Sequence, residues 1–215
     1  MVSYTKKLKH VIIFYRALFE HSVKTRLAKG LDSSRALACY RLILEYIEQE
    51  TADRSYTVIH AVDRLAPENR YFWVPDMLQV GNTLVSRMRH ACDTTMRRTR
   101  GKVMLMGSDI PDIRHEDIED AFAALEHSDL YILPSDDGGY GLIGMGRPCH
   151  NILADTSEES LSSLLQRADA AGYSVEVGRT VHDIDTVNDL YHFLDRTEKT
   201  KNQENLCLLL KQVIQ

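Results

Sequence analysis

The stretch LMGSDIP, residues 105–111, ends a strongly apolar segment on a serine and a carboxylate. The apolar run that begins after Gly101 predicts a strand buried on both faces of a sheet. Aspartate is unfavourable within strands, and a charged side chain is seldom fully buried unless it is paired or binds a metal. Ligands of open α/β sheets bind outside the carboxyl ends of the strands, so Asp109 is expected to face a ligand.

On either side of this stretch, buried-strand patterns alternate with helical periodicities. The predicted strands are 10–17, 54–62, 69–75, 101–108, 129–135, 140–145 and 173–177. The predicted helices are 31–50, 82–98, 114–127, 158–172, 186–196 and 202–214. This alternation predicts a single-domain α/β fold with a mostly parallel sheet and helices on both faces.

Composition excludes several classes of protein. The 215 residues carry a formal net charge of −5, which gives no basic footprint for a nucleic acid. The four cysteines, at 39, 92, 149 and 207, are too scattered for a zinc site or a disulfide framework and suit a reducing cytoplasm. The apolar run VIIF near the start is too short for a signal sequence or a membrane span. We therefore predict a soluble cytoplasmic protein.

Two groups of polar residues follow predicted strands in the first half of the chain. Lys24 and Arg26 bring positive charge to a loop that leads into a helix, which suits a phosphate, although a solvated basic loop explains them as well. Ser108 and Asp109 stand at a strand end, where a carboxylate can hold Mg²⁺ or Mn²⁺. Asp109 can instead cap the next helix or accept hydrogen bonds from loop amides.

Two further groups lie in the second half. Asp136 and Asp137 precede the glycine pair Gly138-Gly139, so they can serve as a base, a metal ligand or an acceptor for sugar hydroxyls, while the glycines allow close approach to a ligand. A tight hairpin turn is the simpler alternative for this segment. Asp183 and Asp185 come just before a helix, and either Asp185 or Thr186 can cap that helix. The sequence contains no P-loop or GxSxG pattern, and no GxGxxG pattern directly follows a predicted strand.

The order of these motifs is more specific than any one of them. It resembles a bacterial family of glycosyltransferase-A-like proteins, long labelled a domain of unknown function and provisionally described as nucleotide-diphospho-sugar transferases. The resemblance spans roughly residues 10–195. The matching segments are Arg16-Ala17, KTRL (24–27), GNTLVSRM (81–88), GSDIP (107–111), DDGGYGLIG (136–144) and DIDT (183–186).

The resemblance implies a Rossmann-like glycosyltransferase-A fold and a role for each group. Asp109 would bind Mg²⁺ or Mn²⁺ and tie it to a diphosphate, with Asp183 and Asp185 as further metal ligands. Asp136 or Asp137 would face the acceptor and take a proton from its hydroxyl. The nucleotide and its phosphates would be held by Arg16, Lys24, Arg26, Ser108, Gly138 and Gly139.

Three functions are compatible with this resemblance. The first is a metal-assisted glycosyltransferase that uses a nucleotide-sugar donor and a small or lipid acceptor. The second is a nucleotidyltransferase of the molybdopterin-guanylyl or phospholactate-guanylyl type, although residues 16–27 lack the glycines usual in those enzymes. The third is a nucleotide-binding homologue without turnover, because Leu18–His21 replaces a Pro-Gly of the family and Gly81-Asn82 replaces a Gly-Asp.

The chain is expected to consist of a transferase-like domain, 1–196, and a C-terminal helical extension, 197–215. In the extension, an apolar helix face is predicted to pack on the body of the protein, and oligomerisation stays open. The residues of this face are Leu206, Leu209, Leu210 and Val213.

Overall fold

The computed structural model describes residues 9–19, 23–52, 55–68, 71–148, 151–154 and 160–215. The strands are β1 (Lys9–Tyr15), β2 (Thr57–Val62), β3 (Met77–Leu78), β4 (Lys102–Gly107), β5 (Leu130–Pro134), β6 (Tyr140–Met145) and β7 (Val175–Val177). The helices are α1 (Thr25–Gly30), α2 (Ser33–Glu50), α3 (Leu84–Thr99), α4 (His115–Ala124), α5 (Leu161–Ala170), α6 (Val187–Asp195) and α7 (Lys201–Ile214).

All seven strands belong to one sheet, in the order β3-β2-β1-β4-β6-β5-β7. β1 pairs in parallel with both β2 and β4. The chain therefore adds β2 on one side of β1 and later returns to add β4 on the other side of β1. β6 is antiparallel to β4 and β5, because a tight hairpin joins it to β5. The mostly parallel α/β architecture predicted from the sequence is confirmed. The reversal of strand order between β1 and β4 marks the place where such sheets bind ligands.

Two apolar layers hold helices against the faces of the sheet. On one face α2, α4, α6 and α7 pack in a single core, and on the other α3 and α5 pack in a second core. The central strands β1 and β4 are apolar without alternation because both of their faces are covered. Asp32 caps α2, since its side chain accepts a hydrogen bond from the Arg35 amide at 2.8 Å.

The strand predicted at 69–75 is wrong. Residues 69 and 70 lie outside the described residues, and 71–75 form no strand; the sheet gains only the two-residue β3 just afterwards. The aromatic residues there pack instead over the ends of β1 and β2: Trp73 stacks on His60 at 4.7 Å and meets Tyr15 edge-on at 5.3 Å. The Tyr15 hydroxyl also donates to the Trp73 carbonyl at 2.8 Å. Side-chain packing thus overrides the β propensity of the segment.

The C-terminal helix α7 packs on α2, as expected, but with a different face. Leu206 and Leu210 are buried, whereas Leu209, which was predicted to pack, is 43% exposed. The polar residue Gln203 is buried instead, because its side-chain amide donates to the Pro111 carbonyl at 3.1 Å. The division of the chain at residue 196 stays a prediction. Among the described helices, none is both long and apolar enough to cross a membrane.

Candidate metal centre and cavity

A cavity of about 570 Å³ opens at the carboxyl ends of β1 and β4, where the strand order reverses. Its walls come from both faces of the sheet: Val23 and Tyr40 belong to one core, and Val85 and Met88 to the other. A ligand in this cavity would therefore lie across the carboxyl ends of the strands and contact residues from both faces of the sheet. Of the residues predicted to form the site, those that line it are Arg16, Lys24, Arg26, Ser108, Asp109, Asp137, Gly139, Asp183 and Asp185.

Three carboxylates converge in the cavity. Asp109, Asp183 and Asp185 each offer an oxygen, and these atoms all lie within 4.8 Å of one another. A set of hard oxygen ligands fits Mg²⁺ or Mn²⁺ and suits softer metals poorly. Thr186, and not Asp185, caps α6: its side chain accepts a hydrogen bond from the Asp189 amide. Asp185 is thereby left to the cluster, and the three residues can hold a metal ion.

The capping alternative for Asp109 is excluded by α4. This helix begins after Arg114, whose amide donates to Asp117, so the cap lies five residues beyond Asp109. Within the described part of the chain, the partner recorded for the Asp109 carboxylate is a side chain, Lys24, rather than a loop amide. The strand-end aspartate therefore faces the cavity.

Lys24 neutralises part of this acidic cluster. Its Nζ lies 2.8 Å from Asp109 Oδ2 and 2.9 Å from Asp185 Oδ1, and its side chain is only 6% exposed. Burial alone would lower the pKa of the ammonium, but the two carboxylates outweigh burial and raise the pKa above its ordinary value. The solvated-loop alternative is therefore wrong for Lys24. It describes Arg26 better, since that side chain is 72% exposed and lies 3.3 Å from Asp185 Oδ2.

The pKa values of Asp183 and Asp185 are shifted in opposite directions. Burial and the neighbouring charges of Asp109 and Asp185 raise the pKa of Asp183 to about 6. Burial also acts to raise the pKa of Asp185, but Lys24 and Arg26 prevail and lower it. Asp183 thus carries a proton more readily than Asp185. A divalent cation would displace that proton because metal ligands must be deprotonated.

Beneath the cluster, Tyr40 and Ser108 form a buried polar pair. The two hydroxyl oxygens lie 2.7 Å apart, and the Tyr40 ring also lies under Lys24, 6.0 Å from its ammonium. Burial, followed by the Asp109 charge, raises the pKa of Tyr40 to about 12. Tyr40 therefore remains a neutral phenol at physiological pH. Ser108 is 4% exposed, so this hydroxyl is engaged with Tyr40 at the base of the cavity.

Asp112, which the sequence did not single out, ties the two acidic loops together. Its side chain is 5% exposed, forms ion pairs with Arg179 and Arg196, and lies 2.9 Å from His182 Nδ1. The His182 amide also donates to Asp112 Oδ2 at 3.1 Å. These contacts fix the loop that carries Asp183 and Asp185 against the loop that carries Asp109.

The segment Asp136–Gly139 forms the hairpin turn between β5 and β6, so the simpler alternative for it is confirmed. Gly138 has φ +88°, and a Cβ added there would contact no other atom. It is therefore a turn glycine rather than part of the cavity wall. Asp137 lines the cavity and accepts a hydrogen bond from the Gly139 amide at 2.9 Å. Asp136 instead faces a second, much smaller cavity, where its Oδ2 lies 3.8 Å from His182 Nε2.

Comparison with known proteins identifies the family of the chain. A family model described as an uncharacterized protein conserved in bacteria (DUF2064) matches residues 41–157, more than half of the chain. The chain belongs to this family. No curated protein matches the chain significantly.

Solved structures share the fold over nearly the whole chain. A protein from Desulfovibrio desulfuricans G20, provisionally described as a nucleotide-diphospho-sugar transferase, is 25% identical with a TM-score of 0.81, over 95% of this chain and 97% of that one. The 4-diphosphocytidyl-2C-methyl-D-erythritol synthase from Anaerococcus prevotii DSM 20548 is 10% identical with a TM-score of 0.56, over 89% and 100%. Rv0371C of Mycobacterium tuberculosis H37Rv, in complex with manganese, is 16% identical with a TM-score of 0.51, over 86% and 96%.

Proposed function

We propose that the protein is a metal-assisted glycosyltransferase that takes its sugar from a nucleotide-diphospho-sugar donor. The observation that carries this proposal is the convergence of Asp109, Asp183 and Asp185 beside Lys24 in a cavity at the switch point of the sheet. This arrangement offers hard oxygen ligands and a buried cation side by side, which is what a diphosphate bound through Mg²⁺ or Mn²⁺ requires.

In this proposal, each group of residues has a distinct task. The three carboxylates hold the divalent cation, which supplies Lewis-acid stabilisation of the charge on the departing nucleoside diphosphate. Lys24 and Arg26, with Arg16 at the cavity wall, bind the phosphate oxygens. Asp137, rather than Asp136, is the carboxylate available to take a proton from the acceptor hydroxyl, because Asp137 lines the cavity.

The nucleotidyltransferase alternative is favoured by one observation. The cytidylyl-type enzyme of Anaerococcus prevotii shares the fold over 89% of this chain. In such an enzyme the same cation and Lys24 would stabilise pyrophosphate as it leaves a nucleoside triphosphate. The two reactions therefore differ in the product released and not in the metal centre.

The product released distinguishes the two functions. The protein is incubated with Mg²⁺ or Mn²⁺ and either nucleotide sugars or nucleoside triphosphates, together with extracts that supply small and lipid acceptors, and products are separated by anion exchange. Metal-dependent release of a nucleoside diphosphate from a nucleotide sugar supports the glycosyltransferase. Pyrophosphate release from a triphosphate supports the alternative, and Asp109→Asn should abolish either activity. Turnover that persists in Asp109→Asn would contradict the assignment of the centre.

A further inference from the structure

The metal centre accounts for only part of the cavity. A second part is walled by α3 and the adjoining strands: Leu84, Val85 and Met88 from the first turns of the helix, with Phe14 and Leu105 from β1 and β4. These side chains are apolar and, apart from the exposed Leu84, belong to or pack against the core on the α3 face. The wall near Ser135 and Asp137 is polar by contrast. A flat, largely apolar group fits the first region, and a group rich in hydroxyls fits the second.

Two polar side chains, Gln79 and Arg87, face the apolar region. Gln79 is 7% exposed, and its Nε2 donates to the carbonyls of Tyr15 at 3.0 Å and Ala61 at 2.9 Å. Because both carbonyls require the amide nitrogen, the Oε1 atom must point the other way. Arg87 NH1 donates to this oxygen at 3.3 Å.

The position of Arg87 is fixed from several sides. Its Nε donates to the Thr83 carbonyl at 3.3 Å, one turn earlier in α3. Gly81 has φ +145°, and a Cβ there would lie 2.8 Å from the Arg87 amide nitrogen, so the chain passes unusually close to the start of the helix. A guanidinium has five N–H donors and cannot accept a hydrogen bond. Two contacts engage part of this set, and Arg87 presents its remaining donors at the cavity wall.

We propose that this region binds the nucleobase and that Arg87, oriented by Gln79, selects bases that carry a carbonyl oxygen. Guanine, uracil and cytosine present such an oxygen, whereas adenine does not. A charge-assisted hydrogen bond from a fixed arginine to a carbonyl oxygen is stronger than a neutral one, and adenine, whose acceptors are ring nitrogens, offers no carbonyl oxygen to accept it. This inference rests on the proposed function, because it assumes that the diphosphate of the ligand lies at the metal centre.

The test is calorimetric titration of GDP, UDP, CDP and ADP into the protein with Mn²⁺ in excess. We expect at least one of the first three to bind about tenfold or more tightly than ADP, which corresponds to one charged hydrogen bond. In Arg87→Met, which keeps the length and apolar stem of the side chain, that preference should largely disappear. The control is Arg89→Met on the same helix, because Arg89 does not line the cavity, and it should keep the preference.

The outcomes separate this inference from the proposed function. Equal affinity of the wild-type protein for all four nucleotides would overturn the base selection alone. A loss in Arg87→Met that is the same for all four nucleotides would also overturn it, since Arg87 would then bind phosphate or ribose. Absence of binding by all four would contradict the proposed function and this inference with it.

Discussion

At the scale of single residues, Lys24 governs the electrostatics of the site. Its ammonium is the buried positive charge that allows acidic groups to stand so close together without a cation. Its backbone adopts the left-handed conformation, φ 50° and ψ 44°, which is uncommon for a residue with a side chain and places Lys24 at the start of α1. We infer that a bound divalent cation takes over this neutralising role and leaves Lys24 to the phosphates.

Replacement of Lys24 tests this exchange. Lys24→Met should lower the stability of the metal-free protein by about 1–3 kcal/mol, because the half-buried carboxylates Asp109 and Asp185 lose their buried partner. Mn²⁺ should then raise the melting temperature of the variant more than that of the wild type. Differential scanning fluorimetry with chelator or Mn²⁺ measures both effects. Arg26→Met is the matched control and should change little, because that side chain is exposed. A variant as stable as the wild type in chelator would refute the role of Lys24.

If Asp183 is a metal ligand, metal binding should depend on pH. Because its pKa is raised to about 6, the carboxyl is protonated in a growing fraction of molecules as the pH falls below that value. The apparent affinity for Mn²⁺, followed by electron paramagnetic resonance, should fall about tenfold for each pH unit below 6 and stay level from 7 to 8. In the metal-free protein the folded state holds this proton more tightly than the unfolded state, so stability falls as the pH rises toward 6. A level affinity from pH 5 to 8 would show that Asp183 is not a ligand.

At the scale of elements, the loops after β4 and before α6 act as one unit because Asp112 joins them. Besides the ion pairs of Asp112, the Ile184 amide donates to the Asp109 carbonyl at 3.0 Å. The buried amide of Gln203 in α7 holds the Pro111 carbonyl from beneath. The spacing of the three carboxylates in the cluster is therefore set by residues that do not themselves face the cavity.

Asp112→Asn should weaken this coupling without altering the three carboxylates. Residues that orient metal ligands typically change metal affinity by about 10–100-fold when they are replaced, and we expect a loss of Mn²⁺ affinity in that range. The control is Asp129→Asn, because Asp129 pairs with Arg147 and Ser174 at the opposite edge of the sheet. The control should lose stability and keep its Mn²⁺ affinity. If Asp112→Asn likewise lost stability but kept its Mn²⁺ affinity, Asp112 would be a structural residue and would not position the metal ligands.

The packing of α7 can be tested by one pair of leucines. Leu210 is fully buried against the main core, whereas Leu208 is 62% exposed on the same helix. Leu210→Ala should lower the free energy of unfolding by about 2–4 kcal/mol in a urea titration, because it leaves a cavity between α7 and the body. Leu208→Ala should change it by less than about 0.5 kcal/mol. Similar losses in both variants would mean that α7 packs otherwise.

At the scale of the whole molecule, the sheet brings together residues that are far apart in the chain. Strand patterns and motif order sufficed to predict the α/β fold and the family, because buried parallel strands are continuous apolar runs. They also placed Lys24, Asp109 and Asp185 in one site, although 85 residues separate Lys24 from Asp109 and 161 separate it from Asp185. The antiparallel direction of β6 could also have been predicted, because an Asp-Gly turn between two strands is a hairpin signal.

Other features depended on tertiary contacts that no local pattern reveals. The partners of Asp112 lie 67 to 84 residues away and include two arginines with no motif around them. Arg87 lies in the GNTLVSRM segment, but its contact with Gln79 could not be predicted, because it depends on how the ends of β1 and β2 fix the amide of Gln79. Adjacent residues of a tight turn point in different directions, so Asp136 and Asp137 could not both face the cavity. The sequence motif identified both residues as candidates, but the structure places Asp137 in the large cavity and Asp136 in the small one.

The central claim is that the acidic cluster binds a divalent cation that in turn binds a nucleoside diphosphate. The most direct test is calorimetric titration of nucleoside diphosphates and nucleotide sugars into the wild-type protein and Asp109→Asn, each with Mn²⁺ and with chelator. We predict saturable binding to the wild type that requires Mn²⁺, and its loss in an Asp109→Asn variant whose circular dichroism shows an intact fold. Binding of equal strength in chelator, or in Asp109→Asn with Mn²⁺, would contradict the claim.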